Sequence, residues 1–194
     1  MYEDKKKERI AMKALWQAGG ILMLAAGFFL VGCSSGVAEQ PVTKAAAQQG
    51  QKDFPSFKAR DLQGNEVTNE IFAKKKITVV NIWGTFCPPC IGEMPELGAW
   101  ARNMPEGAQL VGLVCDVRDA QDAETIGTAK NILGKAGAEF VNIVPDEALM
   151  KYLEDVEAVP TTVFVNAEGK VVGSPVVGAD VEAYKAFVEK YLHE

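Results

Sequence analysis

The run Ile77 to Trp83, ITVVNIW, is apolar almost throughout and rich in β-branched residues, and it leads through Gly84, Thr85 and Phe86 into Cys87-Pro88-Pro89-Cys90. A strand with no polar face must be covered on both sides. The chain therefore has to build a layered α/β domain, with its two cysteines where a buried strand hands over to a helix. Prolines cost little at the first helical positions, because the N–H groups there have no acceptor within the helix. With Pro88 as the first helical residue, Cys87 becomes the N-cap. Pro89 has no N–H to give, so the donor left for a Cys87 thiolate is the N–H of Cys90, with the helix dipole behind it. Placement of this kind brings a thiol pKa from about 8.5 into roughly the 3.5–7.5 range. Cys87 is read as the attacking thiol. Cys90 is the resolving one, more buried and less reactive.

Other chemistries find little to work with. The only histidine, His193, stands one residue from the C-terminus, which argues against His-based triads and His-ligated metal centres. Twenty basic residues face 26 acidic ones, net −6, and nucleic acid is not an expected partner of such a chain. The four cysteines, Cys33, Cys87, Cys90 and Cys115, are too few for a disulfide-stapled scaffold. A zinc half-site at Cys87 and Cys90 would lack further ligands. A purely structural disulfide there would close only a two-residue loop and constrain the unfolded chain little. Cys115, at the end of LVGLVC, reads as a buried small apolar residue.

The pattern around this centre alternates. Residues 54–68 read as a β-hairpin turning at Gln63-Gly64-Asn65, and residues 110–114, 140–144, 161–165 and 170–172 read as further strands. Helices are expected from Pro88 onward and over residues 121–136, 146–153 and 180–192. In the last, Val181, Tyr184, Phe187, Val188 and Tyr191 share one face. The fold class expected is α/β, a mixed central sheet flanked by helices, in one domain from Phe54 to Glu194.

The N-terminus reads as an address. Lys5, Lys6, Lys7, Arg9 and Lys13 precede the apolar residues 18–31, AGGILMLAAGFFLV. A basic region, a short apolar run and a small residue before a cut site describe a secretory signal; a membrane-spanning helix needs about 20 apolar residues. Leu30-Val31-Gly32-Cys33 resembles the bacterial lipobox, in which the cysteine is lipidated and becomes the new N-terminus. An uncleaved signal anchor is the alternative. The expected organisation is a signal peptide over residues 1–32, a flexible tether over 33–53 beginning at lipidated Cys33, and the folded domain. The leader holds five basic and three acidic residues, so 15 and 23 remain from Cys33 onward, net −8, and charge alone would not hold that body to anionic lipid. Twenty tether residues have an r.m.s. reach of roughly 25 Å. Outside the cytoplasm a reduced cysteine pair needs its own electron supply.

The signal, the strand, W-G-T-F-C-P-P-C, then Glu93-Met94-Pro95 and later Val159-Pro160-Thr161-Thr162 together resemble the TlpA/ResA-type membrane-anchored thiol–disulfide oxidoreductases of the thioredoxin superfamily. The resemblance implies a thioredoxin-like fold with an added N-terminal hairpin and an inserted helix, residues 121–136. It implies a cis Val159-Pro160 peptide facing the cysteines, and a helix-kinking role for Pro95, which lacks the N–H that would bond the Ile91 carbonyl. Glu93 matches the acidic residue this branch carries near its resolving cysteine; the alternative is a solvated helix charge. Asn81 stands six residues before Cys87, where cytoplasmic thioredoxins have a buried Asp, and Phe86 stands where Trp is usual. Phe86, Pro88, Pro89, Val159 and Pro160 are the expected client-contacting residues.

The function this implies is reduction of exported disulfides, in apocytochrome c or in an oxidised repair enzyme such as methionine sulfoxide reductase. Electrons would come from a membrane thiol carrier of the CcdA/DsbD kind. No cofactor is called for, and a monomer anchored at the cytoplasmic membrane is expected. A disulfide-forming oxidase would use the same two cysteines, and reduction potential separates the two. A peroxiredoxin-type peroxidase wants a Thr three residues before its cysteine, where this chain has Gly84 and Cys87. A non-enzymatic binding lipoprotein remains the plain alternative.

Overall fold

The computed structural model describes residues 52–194, so the expected signal peptide, Cys33 and most of the expected tether lie outside the described residues. All seven residues of β3 (Ile77–Trp83) are buried, because alternate side chains enter two separate cores. Ile77, Val79 and Trp83 join one core with Met94, Leu97, Leu133, Tyr184 and Val188. Val80 and Ile82 join the other with Phe54, Phe57, Phe72 and Leu149. This two-sided burial is what the continuous apolar run requires.

The strands are β1 (Lys58–Asp61), β2 (Glu66–Thr68), β3, β4 (Ala108–Val114), β5 (Val141–Val144), β6 (Thr161–Asn166) and β7 (Val171–Val177). They form one sheet in the order β2-β1-β5-β4-β3-β6-β7. β3, β4 and β5 run parallel; β6, β7 and the β1/β2 hairpin pair antiparallel. The helices are α1 (Pro88–Arg102), α2 (Ala123–Ala136), α3 (Glu147–Leu153) and α4 (Val181–His193). Asp122, Asp146 and Asp180 cap α2, α3 and α4, each accepting from a backbone N–H three residues on. α1, α2 and α4 cover one face, while α3, a 3-10 turn (Asn69–Lys74) and the residues before β1 cover the other. The mixed, thioredoxin-like α/β fold expected from the pattern is the fold observed. The helix expected as an insert, residues 121–136, leads into β5, which pairs with both β4 and β1 and so joins the hairpin to the central sheet.

Two boundaries differ from the pattern reading. The folded domain begins before Phe54: Val171 donates to the Lys52 carbonyl, Phe54 donates to that of Gly169, and Asp53 bridges to Lys170. Phe54 then packs edge-on against Phe57 and Phe72, with ring centroids 6.2 and 5.2 Å away. The last strand runs to Val177, not Val172. Its register slips between Thr162 and Phe164 of β6, and Gly173 sits there at φ 69° with the Phe187 ring where a Cβ would be. That irregularity and Pro175 mask the strand in the sequence.

Candidate active site

Cys87 caps α1 in an extended conformation, φ −101° and ψ 103°, with Pro88 and Pro89 at the first two helical positions. Its sulfur accepts from the Cys90 N–H at 3.2 Å, the one donor the proline pair leaves open. Cys87 and Cys90 are joined in a disulfide. Cys90 is wholly buried and Cys87 is 4% exposed. The Val159–Pro160 peptide is cis, and the Val159 carbonyl oxygen lies 3.5 Å from the Cys87 sulfur. In the reduced protein a Cys87 thiol at this position can donate to that carbonyl.

The loop ahead of the cysteines is fixed from the neighbouring strand. The Thr85 N–H donates to the Asp116 carboxylate at 3.1 Å and the Thr85 hydroxyl does so at 2.6 Å. Gly84 has no room for a side chain, because a Cβ there would run into the Phe86 ring and approach the Cys115 sulfur. Cys115 is half-buried, more open than the fully enclosed residue expected of it. Burial, and then the carboxylate of Asp116, push its thiol up to about 11.

Glu93 is not the solvated helix charge of the alternative reading. It is 5% exposed and points into the sheet. The Asn81 side-chain amide donates to Glu93 Oε1 at 2.9 Å and to the Thr162 hydroxyl at 3.0 Å, across a register that places Asn81 opposite Thr162. The Tyr184 hydroxyl lies 3.2 Å from Glu93 Oε2. Burial raises the carboxyl pKa above its ordinary range; the Asn81 and Tyr184 contacts oppose the shift and the Glu96 charge adds to it. Asn81 Oδ1 has no hydrogen-bond partner and is the one such buried side-chain atom among the described residues.

The expected contact residues surround the disulfide. Phe86 is 67% exposed beside Cys87. Pro88 and Pro89 are exposed, Val159 is half-buried and Pro160 is buried beneath it. Phe86, Cys115, Met150, Leu153 and Val159 line a cleft next to the cysteines. The large apolar side chains left exposed among the described residues are Phe86, Ile91, Met150 and Val177. Ile91 follows Cys90, Met150 shares the cleft with Phe86, and Val177 lies opposite Thr161, next to Pro160. Sequence reading passed over Asp116 and Tyr184. Tyr184 reads as one more member of an apolar stripe, and the only hint otherwise is that a buried tyrosine hydroxyl needs a partner.

A family model described as Redoxin matches residues 48–188. The chain belongs to the Redoxin family. Within it, the chain is 28% identical over 142 residues to the thiol-disulfide oxidoreductase ResA of Bacillus anthracis, a match covering 73% of this chain and 75% of that one. It is 26% identical over 122 residues to the thiol:disulfide interchange protein DsbE homolog of Paracoccus denitrificans, covering 62% of each. A thiol:disulfide interchange protein of the thioredoxin family from Chlorobium tepidum superposes with a TM-score of 0.60 at 22% identity, over 75% of this chain and 99% of that one, and shares the fold.

Proposed function

We propose that this redoxin is a thiol–disulfide oxidoreductase that works outside the cytoplasm as a reductase of disulfides in exported proteins. The observation that carries the reading is the Cys87–Cys90 disulfide at the start of α1, with Cys87 as N-cap beside the Val159 carbonyl and Glu93 buried one helical turn after Cys90. In the reduced protein the Cys87 thiolate attacks a client disulfide and forms a mixed disulfide, releasing one client thiolate. Cys90 passes its proton to the Glu93 carboxylate, and its thiolate attacks the Cys87 sulfur. The Cys87–Cys90 disulfide forms, the second client thiolate leaves, and both client sulfurs take protons from water. Asn81 cannot accept the Cys90 proton, and Glu93 lies one helical turn from Cys90.

The client is an unfolded or extended protein segment. Exposed apolar side chains around the disulfide suit a polypeptide better than a small thiol, and Val159 offers a backbone carbonyl for main-chain pairing. Apocytochrome c and an oxidised methionine sulfoxide reductase are the candidate clients. Lipid on Cys33 would hold the domain at the cytoplasmic membrane, within reach of a thiol electron donor of the CcdA/DsbD kind. The likeness to ResA and DsbE proteins supports the reducing direction. Equilibration of the chain with glutathione and thioredoxin couples tests it. A reduction potential near thioredoxin's roughly −270 mV is expected, and one near the roughly −120 mV of a strong oxidase would reassign the chain as a disulfide-forming enzyme. Intact mass of the membrane-extracted protein tests the anchor: a chain beginning at Cys33 with added lipid is expected, and an unmodified Cys33 rejects it.

A further inference from the structure

Glu93 is held by a phenol whose three contacts are all hydrogen bonds only when Glu93 carries a proton. Tyr184 is fully buried, on α4. Its hydroxyl meets the Gly178 carbonyl at 2.7 Å, the Asp180 N–H at 3.3 Å and Glu93 Oε2 at 3.2 Å. A phenol has one hydrogen to give and lone pairs to accept with. The Asp180 N–H uses one lone pair. The hydrogen can serve Gly178 or Glu93 but not both, and the shorter contact is to Gly178. With the hydrogen on Gly178, the Glu93 contact is a hydrogen bond only if Oε2 carries a proton and donates it to the phenol. Oε1 then acts as the acid's carbonyl oxygen and accepts from Asn81, as observed. When Glu93 ionises, the phenol hydrogen can rotate from Gly178 to Oε2 and meet the new charge.

We propose that Tyr184 is a positioning residue for the proton step of thiol–disulfide exchange, a hydroxyl rotor that gives Glu93 a hydrogen-bond partner in both of its protonation states. The proposal rests on the reading that Glu93 exchanges a proton with Cys90. The disulfide form described here is the state after resolution, when Glu93 holds the proton taken from Cys90. On reduction of the disulfide, Glu93 returns it to the Cys90 sulfur. The groups that act on Glu93 are few: Asn81 from β3 and Tyr184 from α4 by hydrogen bond, and Glu96 from α1 by charge; Thr162 of β6 shares the Asn81 amide, and Cys90 lies one helical turn before Glu93. The Thr162 hydroxyl also faces the phenol. Lys185 pairs with Glu96 at 2.7 Å and offsets its charge. No cation touches Glu93 among these groups; burial favours its acid form, and the hydrogen bonds from Asn81 and Tyr184 favour the carboxylate. A charge-assisted hydrogen bond is about twice as strong as a neutral one, so removing the hydroxyl costs the carboxylate more than the acid.

The test follows decay of a mixed disulfide preformed on Cys87, as a function of pH, in the full chain and in the variants Tyr184→Phe and Glu93→Gln. Tyr184→Phe is expected to move the midpoint of the pH profile upward and to slow decay about 3- to 10-fold at pH 7. In the Glu93→Gln background the same change should leave the profile unaltered. A Tyr184→Phe protein that is uniformly slower with an unmoved midpoint, or unchanged, overturns the proposal and leaves Glu93 its role. A Glu93→Gln protein with a wild-type profile overturns the underlying reading, and Tyr184 falls with it. Infrared titration of the oxidised wild-type chain needs no folded variant of Tyr184. A protonated-carboxyl band absent from Glu93→Gln should persist above the pH at which exposed carboxylates have ionised. Its loss together with theirs would also overturn the proposal.

Discussion

β3 and β4 lie side by side, run in the same direction and are each followed by a cysteine, Cys87 beyond Trp83 and Cys115 directly after Val114. The chain after Trp83 makes a short loop and starts a helix with two prolines, so the Cys87 sulfur receives the Cys90 N–H and the positive end of α1. The chain after Val114 starts no helix. Its next residue is Asp116, whose carboxylate holds Thr85 in place and opposes ionisation of Cys115. The two sulfurs follow neighbouring strands at the same end of the sheet, one set against a backbone N–H donor and the other held above the ordinary thiol range. The two cysteines differ in surroundings: the Cys87 sulfur meets a backbone donor, whereas burial and then the Asp116 carboxylate disfavour a Cys115 thiolate.

The comparison can be broken most directly by mutation. Cys87→Ser is expected to lower disulfide reduction by on the order of 10³-fold or more, while Cys115→Ala leaves it within about twofold. Similar losses in an insulin-reduction assay would give the two sulfurs equal standing. A finer separation comes from alkylation of the double variant Cys87→Ser, Cys90→Ser, in which Cys115 is the remaining thiol of the domain. With its pKa pushed up to about 11, Cys115 should react roughly two orders of magnitude more slowly at pH 8 than a free cysteine. A half-rate pH near the ordinary value would remove the contrast.

Glu93→Gln probes the same contrast from inside. It should slow decay of the mixed disulfide about 10-fold, near or below the low end of general-base effects, because thiols are already acidic. It should also speed alkylation of reduced Cys87 at a fixed pH below neutral, since a negative neighbour is removed. If both rates match wild type, the proton goes straight to water.

The smallest effect is on stability. The raised Glu93 pKa means the folded state holds that proton more tightly than the unfolded chain. Its contribution is fully present below the unfolded carboxyl range and is lost as pH rises through that range to the raised folded value. Thermal midpoints of wild type should therefore fall relative to Glu93→Gln across that window. Parallel curves would place Glu93 in the ordinary carboxylate range.

What could be read in advance followed from local rules. ITVVNIW had to be a strand buried on both faces, and the proline pair had to leave Cys87 as N-cap with Cys90 as its donor; both rest on neighbours in the chain. The Asn81–Glu93–Tyr184 cluster joins β3, α1 and α4, with Glu93 and Tyr184 separated by 91 positions in the chain. No periodicity reveals such a meeting, and Tyr184 satisfies an apolar stripe as well as phenylalanine would. Asp116 carries no signal for the same reason, since its partner Thr85 lies in the loop after the neighbouring strand β3, 31 positions earlier. β7 reads in the sequence as a shorter strand because Gly173 and Pro175 carry the signature of a turn, while the strand continues past them.

That same β7 bears on how the protein survives its own work. A reductase of exported chains, as proposed for this protein, would meet many unpaired backbones, and the rim of an open sheet invites them to add as further strands. On one rim β7 offers a kinked ladder, broken by Gly173 and lacking an N–H at Pro175; on the other, β2 is three residues long. Neither rim is a good template for zipping. On the proposed function, clients would then be caught by sulfur alone, one covalent bond that exchange can undo, and the protein would stay free of the aggregates such chains could form.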